Sequence, residues 1–501
     1  MDEGELTDAH RDGWDEGEGT GPGADGPEDA AEKGADALAK GAPGNGAPGN
    51  GAWPYGPLED AARRPAPSDV RGLLLGWRTL PRSALFTGGP DQGDPLASYR
   101  LLGDVSDPIL YEGDSHLLTV APTGSGKGRG AIIPNLLRYP GPMIVVDPKG
   151  ENYHVTARYR RSLGQQVHVL DPFGVVTRHG GRLNPFDIFS LPNAQIDADS
   201  EMLAELLAGG VLSLKDPFWD ISASSLIAGL IAYITCHMPI EERQFKHFRT
   251  LLWSDFVYRI AKLLDERADL HPFVRAELEG FLGITADMTR GGILATAFTH
   301  AHVLKSDAVL ASLGASTIDL EAVIRGDPMT IYMIIPPTKL DSHRVLLRLW
   351  IGTLLLAIMQ RTQRPDQRTV FLLDECAQLG SLGVLRQAVT LMRGYGLQIW
   401  MYFQDLSQLK RLYPDDWPTM VNNAAVLQTF GLNSNLVARD MADLLGGISP
   451  SALRRMPTDH QVAVMPGTET LVSRRPDYLN DPLFAGRFDP NPLFEGQRPG
   501  R

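Results

Sequence analysis

Cysteine is nearly absent from this chain, which has 501 residues and only two cysteines, Cys236 and Cys376. Two cysteines so far apart do not build a disulfide framework, and the sequence therefore fits a reducing compartment. Basic residues are also few, with 47 Lys and Arg against 60 Asp and Glu. Residues 1–70 carry a net charge of −11 out of −13 for the whole chain. The nearly neutral remainder neither indicates nor excludes a nucleic-acid partner.

A hydrophobic run long enough to cross a membrane is also missing from the sequence. The best candidate, residues 346–359, is interrupted by Arg348 and Gly352 and is shorter than the ~20 residues that a span requires. We interpret it as a buried core helix. The first five residues contain neither a basic patch nor an apolar segment, so we expect no secretory signal. The sequence thus predicts a soluble, cytoplasmic chain without a membrane span.

A glycine-rich segment, APTGSGKG at residues 121–128, follows a short apolar stretch and precedes a predicted helix at 127–138. It predicts a phosphate-binding loop, because consecutive N–H groups of such a turn converge on phosphate oxygens and the helix adds its positive end. Lys127 supplies the point charge for the β and γ phosphates of ATP. The predicted nucleotide-binding residues are Thr123, Gly124, Ser125, Gly126, Lys127 and Gly128.

Two residues of this segment depart from the general phosphate-loop pattern. Ala121 occupies the position of the first glycine, and Gly128 occupies the position of the hydroxyl that usually binds Mg²⁺. A plain glycine-rich turn between a strand and a helix therefore stays open as an alternative.

A second signature, VFLLDE at residues 370–375, consists of four apolar residues followed by two carboxylates. The pattern is typical of the strand in which Asp374 holds Mg²⁺ and Glu375 activates the attacking water. A strand that simply ends in solvated acids is the alternative. Gln404 follows another apolar strand, and we predict that it senses the γ-phosphate, although its amide could instead cap the next helix.

Arg393 lies between these two elements, at the end of a predicted helix. We hypothesise that it reaches the γ-phosphate of a neighbouring subunit as an arginine finger. A basic residue that complements the carboxyl end of its helix is the alternative.

The distribution of apolar segments predicts an α/β fold. Strands and helices alternate from about residue 117 and resume near residue 330, which indicates a mainly parallel sheet covered on both faces. The predicted organisation is a disordered acidic tail (1–70), a linker and first part of the nucleotide-binding domain (71–185), an all-helical insertion (186–325), the second part of the nucleotide-binding domain (326–475), and a Pro-rich, poorly ordered C-terminal extension (476–501).

Six segments together resemble the TraG/TraD-type coupling proteins of conjugation and type IV secretion, which are related to FtsK and HerA. They are APTGSGKG (121–128), VVDPKGE (145–151), DPF (171–173), LNP (183–185), LLDE (372–375) and RGYG (393–396). The match runs in order over residues 115–475. The resemblance implies a RecA-like phosphate-loop ATPase that assembles as a homo-hexamer and uses ATP and Mg²⁺.

The resemblance also implies partners. Such a motor recruits DNA, in single-stranded form, with a bound relaxase, or an effector protein, and feeds it to the components of a secretion channel. Members of this family tend to carry Gly after the loop lysine, which makes Gly128 an expected variant and leaves Thr123, Ser125 and Asp374 as candidates for completing the Mg²⁺ shell.

The beginning of the chain departs from the family pattern. Most members begin with two membrane-spanning helices, and here an acidic tail and a linker stand in that place. We therefore expect the chain to reach the cytoplasmic face of the bacterial inner membrane through partners. A DNA translocase of the FtsK/HerA kind and a non-hydrolysing adaptor that recruits substrates are the alternative functions.

Overall fold

The computed structural model describes residues 72–79, 106–209 and 216–494. The predicted acidic tail, residues 1–70, lies outside the described residues. All structural statements below concern the described part of the chain.

Eleven strands form one sheet in the order β2-β1-β11-β10-β9-β3-β8-β7-β4-β6-β5. Their bounds are β1 Leu73–Thr79, β2 Ser106–Tyr111, β3 His116–Val120, β4 Met143–Val146, β5 Gln166–Leu170, β6 Met329–Met333, β7 Thr369–Leu373, β8 Leu397–Phe403, β9 Ala424–Thr429, β10 His460–Val464 and β11 Leu471–Arg474.

The strands from β9 to β5 run parallel to one another. Several of them, such as β3, β4, β7 and β8, are buried along their whole length, as expected for apolar strands with helices on both faces. The carboxyl ends of β3, β8, β7 and β4 therefore lie side by side at one edge. The prediction of a mainly parallel α/β sheet is confirmed.

The other four strands extend the sheet with antiparallel pairs. Strands β10 and β11 form a hairpin, and β10 pairs with β9. The sequence predicts only a linker before residue 115, and that prediction is incomplete. Within that region β1 and β2 pair with each other, and Trp77 of β1 faces Arg474 of β11.

Sixteen α-helices accompany the sheet in the described residues. They are α1 Ile133–Leu136, α2 Glu151–Ser162, α3 Ile196–Ala208, α4 Phe218–His237, α5 Phe245–Leu252, α6 Phe256–Glu266, α7 Pro272–Leu282, α8 Asp287–His300, α9 Asp307–Ser312, α10 Leu320–Arg325, α11 Pro337–Met359, α12 Gly383–Leu391, α13 Leu406–Leu412, α14 Trp417–Asn422, α15 Asn435–Leu445 and α16 Pro450–Arg455.

Helices α3 to α10 follow one another without an intervening strand in the described residues. Four of them, α3, α5, α7 and α8, pack on α4, whose apolar side chains are largely enclosed. Residues 253–255 separate α5 from α6. The division of the chain into domains stays a prediction.

Two described helices are long and apolar enough to span a membrane by length and composition alone. They are α4 and α11, of which 56% and 78% is buried inside the protein. The core helices of soluble proteins pass the same test, and α11 packs against α3, α10 and α12. The expected core helix at 346–359 is thus the buried second half of α11.

The segment after β11 packs against the rest of the fold, and the expectation of a poorly ordered end is wrong for residues 476–494. Phe484 is fully buried, and Tyr478 joins it in a cluster with Val155 of α2. A helical turn at Pro482–Phe484 and an ion pair between Arg158 and Asp489 fix the segment further.

Candidate active site

The loop that follows β3 has the backbone conformation of a phosphate-binding turn. Gly124 and Gly126 have φ angles of 77° and 89°, a region that side chains disfavour. The Ser125 N–H donates to the Pro122 carbonyl at 3.2 Å, and the Ser125 hydroxyl donates to the same carbonyl at 2.6 Å. The loop is therefore closed on itself by two hydrogen bonds.

The helix after this loop is less regular than predicted. The chain forms a π-helical turn at Gly128–Ile132 before the short helix α1, instead of one helix over 127–138. The wider turn opens the backbone at the helix start. The first turn still begins directly after Lys127, so its N–H groups lie beside the loop.

Lys127 lies in the middle of the site and is almost fully enclosed. Only 8% of its side chain is exposed. Its ammonium donates to the Ala121 carbonyl at 3.2 Å and lies 3.4 Å from Oε1 of Glu375. The two sequence signatures, which are 248 residues apart, thus meet through one ion pair.

Glu375 follows β7 in a left-handed conformation with φ 60° and ψ 48°. It is the one non-glycine residue with positive φ among those described. Such a conformation costs about 1–3 kcal/mol and persists only where the surroundings enforce it. Its two carboxylate oxygens contact different partners, Lys127 on one side and Gln404 on the other.

Asp374 is buried beside this pair. Burial raises its pKa to about 6, an effect opposed by the charge of Lys127 and reinforced by the charge of Glu375. Its Oδ1 atom is buried without a hydrogen-bond partner among the described residues. A buried carboxylate oxygen left open in this way is suited to a cation.

Gln404 follows β8, which lies between β3 and β7 in the sheet. Its amide nitrogen donates to Oε2 of Glu375 at 2.8 Å. The cap of the next helix, α13, is the carboxylate of Asp405, which accepts from the Gln408 N–H at 3.0 Å. The side chain of Gln404 therefore faces the site and not the helix end.

Arg393 lies at the opposite edge of the sheet. It belongs to a short helical turn, Met392–Tyr395, just before the amino end of β8, whereas Gln404 follows the carboxyl end of the same strand. Its side chain is exposed. The structure thus brings Lys127, Asp374, Glu375 and Gln404 together, and it does not bring Arg393 to them within one chain.

Asp147 joins the same edge from β4, the strand next to β7. Burial raises its pKa to about 7, while the N–H groups of Tyr153 and Asn152 lower it and the nearby Asp374 raises it. It belongs to the VVDPKGE segment, residues 145–151, which contributes to the family resemblance. The structure places it beside Asp374.

Arg475 contacts the phosphate loop and was missed by the sequence reasoning. Its guanidinium donates to the Ser125 carbonyl at 2.7 Å and lies 4.4 Å from the centre of the Phe430 ring. The residue follows β11, 350 positions after the loop, so no local pattern could have identified it.

The donor set at this edge fits a magnesium ion held mainly by a nucleotide. Within the described residues, no group of three or more His, Cys, Asp or Glu side chains could hold a metal by itself. Mg²⁺ is commonly bound by one or two carboxylates together with phosphates and waters. Of the three candidate ligands, Ser125 turns its hydroxyl to its own loop, Thr123 is exposed, and Asp374 offers a buried free oxygen.

Comparison with known proteins gives a family match over most of the chain. The model of the family described as "Type IV secretory system Conjugative DNA transfer" matches residues 89–449. The chain is 28% identical over 353 residues to a conjugal transfer protein TraG of Agrobacterium fabrum, covering 68% of this chain and 52% of that protein. It is 26% identical over 303 residues to the type IV secretion system-coupling protein VirD4 of Bartonella quintana, covering 59% and 47%.

The chain spans about half the length of these curated relatives. Solved structures of the bacterial conjugative coupling protein TrwB share its fold. The unbound form has a TM-score of 0.58 at 16% identity and covers 81% of this chain and 94% of that one. The form in complex with ADP and Mg²⁺ has a TM-score of 0.56 at 15% identity, with the same coverage.

Proposed function

The chain belongs to the type IV secretory system conjugative DNA transfer family, and on that premise we propose that it is an ATP-hydrolysing coupling protein. In this role it recruits DNA or a DNA–protein substrate and drives it into a secretion or conjugation channel. The observation that carries the proposal is the convergence of Lys127, Asp374, Glu375 and Gln404 at one edge of the sheet.

Each of these residues has a role in the proposed reaction. Lys127 and the N–H groups of residues 124–128 bind the β and γ phosphates. The phosphates compete with Glu375 for the Lys127 ammonium, which lies 3.4 Å from Glu375. Glu375, once released from Lys127, orients the attacking water and accepts its proton. Gln404, which donates to Glu375 at 2.8 Å, reports on the γ-phosphate.

Asp374 holds the magnesium ion in this proposal. Its free Oδ1 atom and its raised pKa indicate a carboxylate that gains a partner when the metal binds. The bound ion neutralises charge that develops on the phosphates. Thr123 is the loop hydroxyl that is free to contribute, because Ser125 turns inward.

Arg393 is proposed to act on the site of a neighbouring subunit. It is exposed and lies at the far edge of its own sheet, so it can serve an arginine-finger role only between subunits. Assembly as a homo-hexamer would supply that neighbour.

We further propose that the substrate is single-stranded DNA with a bound relaxase, or an effector protein. The printed names of the relatives describe conjugal transfer and coupling to type IV secretion. The chain would act at the cytoplasmic face of the inner membrane and contact channel components there.

ATP turnover measured with and without single-stranded DNA tests the proposal. We expect DNA-stimulated hydrolysis by the wild type and loss of both hydrolysis and nucleotide binding in Lys127→Ala, because the lysine is the cation of the phosphate site. The absence of turnover in the wild type under all conditions would leave only a recruitment adaptor. Stimulation by duplex DNA alone would instead favour a translocase.

A further inference from the structure

Arg348 is a buried arginine that forms no ion pair with a carboxylate in the described part of the chain. It lies in α11 with 1% of its surface exposed. Burial lowers its pKa to about 10, while Tyr413 and Glu205 raise it, so the side chain stays charged at neutral pH. A buried charge is costly unless hydrogen bonds compensate it. The hydrogen bonds that compensate this charge therefore show which parts of the fold Arg348 holds together.

Two of these partners belong to the segment that follows Glu375. One nitrogen of the guanidinium donates to the carbonyls of Leu379 (3.2 Å) and Ser381. The Nε atom makes a longer contact of 3.4 Å with the Leu206 carbonyl in the last turn of α3. One side chain thus touches both the element that carries Glu375 and the helical region.

The segment 376–382 is also held on its other side. The Leu382 N–H donates to the hydroxyl of Tyr413 at 3.1 Å, and Tyr413 follows α13, the helix after Gln404. The Gln378 N–H donates to the carbonyl of Glu375 at 2.9 Å. Glu375, with its left-handed backbone, thus directly precedes a segment that Arg348 and Tyr413 hold in place.

The last turn of α3 makes two further close contacts near this segment. A Cβ atom on Gly383, the first residue of α12, would lie 2.9 Å from a carboxylate oxygen of Glu205. A Cβ atom on Gly352 of α11 would lie 2.2 Å from Cδ1 of Leu206. The end of α3 is therefore closely packed against both α11 and the start of α12.

We propose that Arg348 is a positioning residue that couples the helical region to Glu375. By holding the Leu379 and Ser381 carbonyls it keeps Glu375 aligned with Lys127 and Gln404, and through Leu206 it transmits displacement of α3 to that alignment. The proposal rests on the proposed ATP hydrolysis for its kinetic consequence, but the physical link between α3 and residues 376–382 can be measured without it.

The first experiment compares Arg348→Lys with Arg160→Lys. Arg160 is a matched control, since it too is fully buried and donates to main-chain carbonyls, those of Leu136, Tyr139 and Gly141. These carbonyls lie before β4, at the edge of the sheet away from Glu375. A lysine keeps the charge but cannot hold several carbonyls in a fixed fork.

For Arg348→Lys we expect kcat for ATP to fall about ten- to a hundredfold, as when a catalytic group is misplaced by about 1 Å. KM should stay unchanged, because the phosphate loop is untouched. Amide hydrogen exchange of residues 376–382 should accelerate. Arg160→Lys should lower the melting temperature without either effect.

Equal loss of kcat in both variants would reduce Arg348 to a structural role and overturn the proposal. Unchanged exchange of residues 376–382 in Arg348→Lys would overturn it as well. If the wild type does not hydrolyse ATP, the proposed function fails, and the exchange measurement alone decides the proposed link.

A second pair of variants tests the connection to α3 and does not alter Arg348. Gly352→Ala forces Leu206 away from α11, whereas Gly229→Ala creates a similar clash with Cβ of Glu277, 2.7 Å away, within the helical region. We expect faster exchange of residues 376–382 in Gly352→Ala only. The same exchange in both variants would show that α3 does not act on Glu375 through this contact.

Discussion

Buried charged side chains have different hydrogen-bonding environments at the two edges of the parallel sheet. At the carboxyl edge, Asp374 is buried with a free oxygen, and Lys127 holds Glu375 through a contact of 3.4 Å. At the amino edge, Arg361 is also buried, but its nitrogens donate to four carbonyls and to the hydroxyl of Thr369. At the carboxyl edge, where phosphate and metal are proposed to bind, a charged group keeps an oxygen without a hydrogen-bond partner. At the amino edge, the guanidinium of Arg361 is fully hydrogen-bonded and holds the main chain in place.

This contrast explains the position of Arg393. Two of the carbonyls that Arg361 binds, those of Tyr395 and Gly396, lie at the end of the turn that carries Arg393. The turn is fixed from inside while the Arg393 side chain faces outward. The amino edge thus exposes the Arg393 side chain on a turn whose end is hydrogen-bonded to Arg361.

The largest expected effect concerns this outward cation. Arg393→Ala should reduce ATP hydrolysis by about a thousandfold, the low end for loss of an arginine finger. Mixing Arg393→Ala subunits with Glu375→Gln subunits should restore part of the activity, because each subunit then supplies what its neighbour lacks. If activity did not recover at any mixing ratio, Arg393 would not act between subunits, and the amino edge would have only a structural role.

Glu375→Gln should lower hydrolysis by about a hundredfold or more, the usual contribution of a general base, while nucleotide binding is retained. The amide can still contact Lys127 and Gln404 but cannot accept a proton. Binding of a fluorescent ATP analogue and steady-state turnover separate the two effects. Equal loss of binding and turnover would mean that Glu375 supports the phosphate loop and has no chemical role.

Arg361→Ala should destabilise the protein by about 3 kcal/mol, because it leaves several buried carbonyls without donors. Arg364→Ala is the matched control on the same edge, since the exposed pair of Arg364 and Asp114, 2.8 Å apart, contributes at most about 1 kcal/mol. Urea unfolding measures both. Similar losses in the two variants would contradict the view that saturation of buried carbonyls distinguishes this edge.

The smallest effect is a pH dependence at the carboxyl edge. The pKa of Asp374 is raised from 3.8 to about 6, so the folded state binds this proton more tightly than the unfolded state. Stability from this group is fully present below pH 4 and is lost as the pH rises through 6. The difference in melting temperature between Asp374→Asn and the wild type should therefore increase in favour of the variant as the pH rises from 4.5 to 7.5. A constant difference would show that Asp374 is not perturbed.

Local patterns in the sequence were sufficient to predict which segments meet at the carboxyl edge of the sheet. The phosphate loop depends on glycines within eight neighbouring residues, and the strand ending at Asp374 is a continuous apolar run. Parallel strands then bring these ends together because their carboxyl ends share one edge. The roles assigned to Glu375, Gln404 and Arg393 stay predictions, although the first two are in contact.

The features that the sequence analysis missed depend on distant partners. Strand β1 pairs with β11 nearly 400 residues away, as in the register of Trp77 with Arg474, so no local signal predicts it. Arg160 lies in a basic run, Arg158–Tyr159–Arg160–Arg161, which we expect from sequence to form a solvated face or a DNA contact, yet it is fully buried. Only tertiary packing decides which arginine of such a run turns inward.

The contact of Arg475 with the phosphate loop sets an order of events during synthesis. The Ser125 carbonyl leaves the ribosome 350 residues before its partner guanidinium. At about 5–20 residues per second, roughly 20–70 s pass between the two. A nascent chain therefore carries an unfinished phosphate loop during this interval, and the contact forms only when the segment around Arg475 has emerged and folded back.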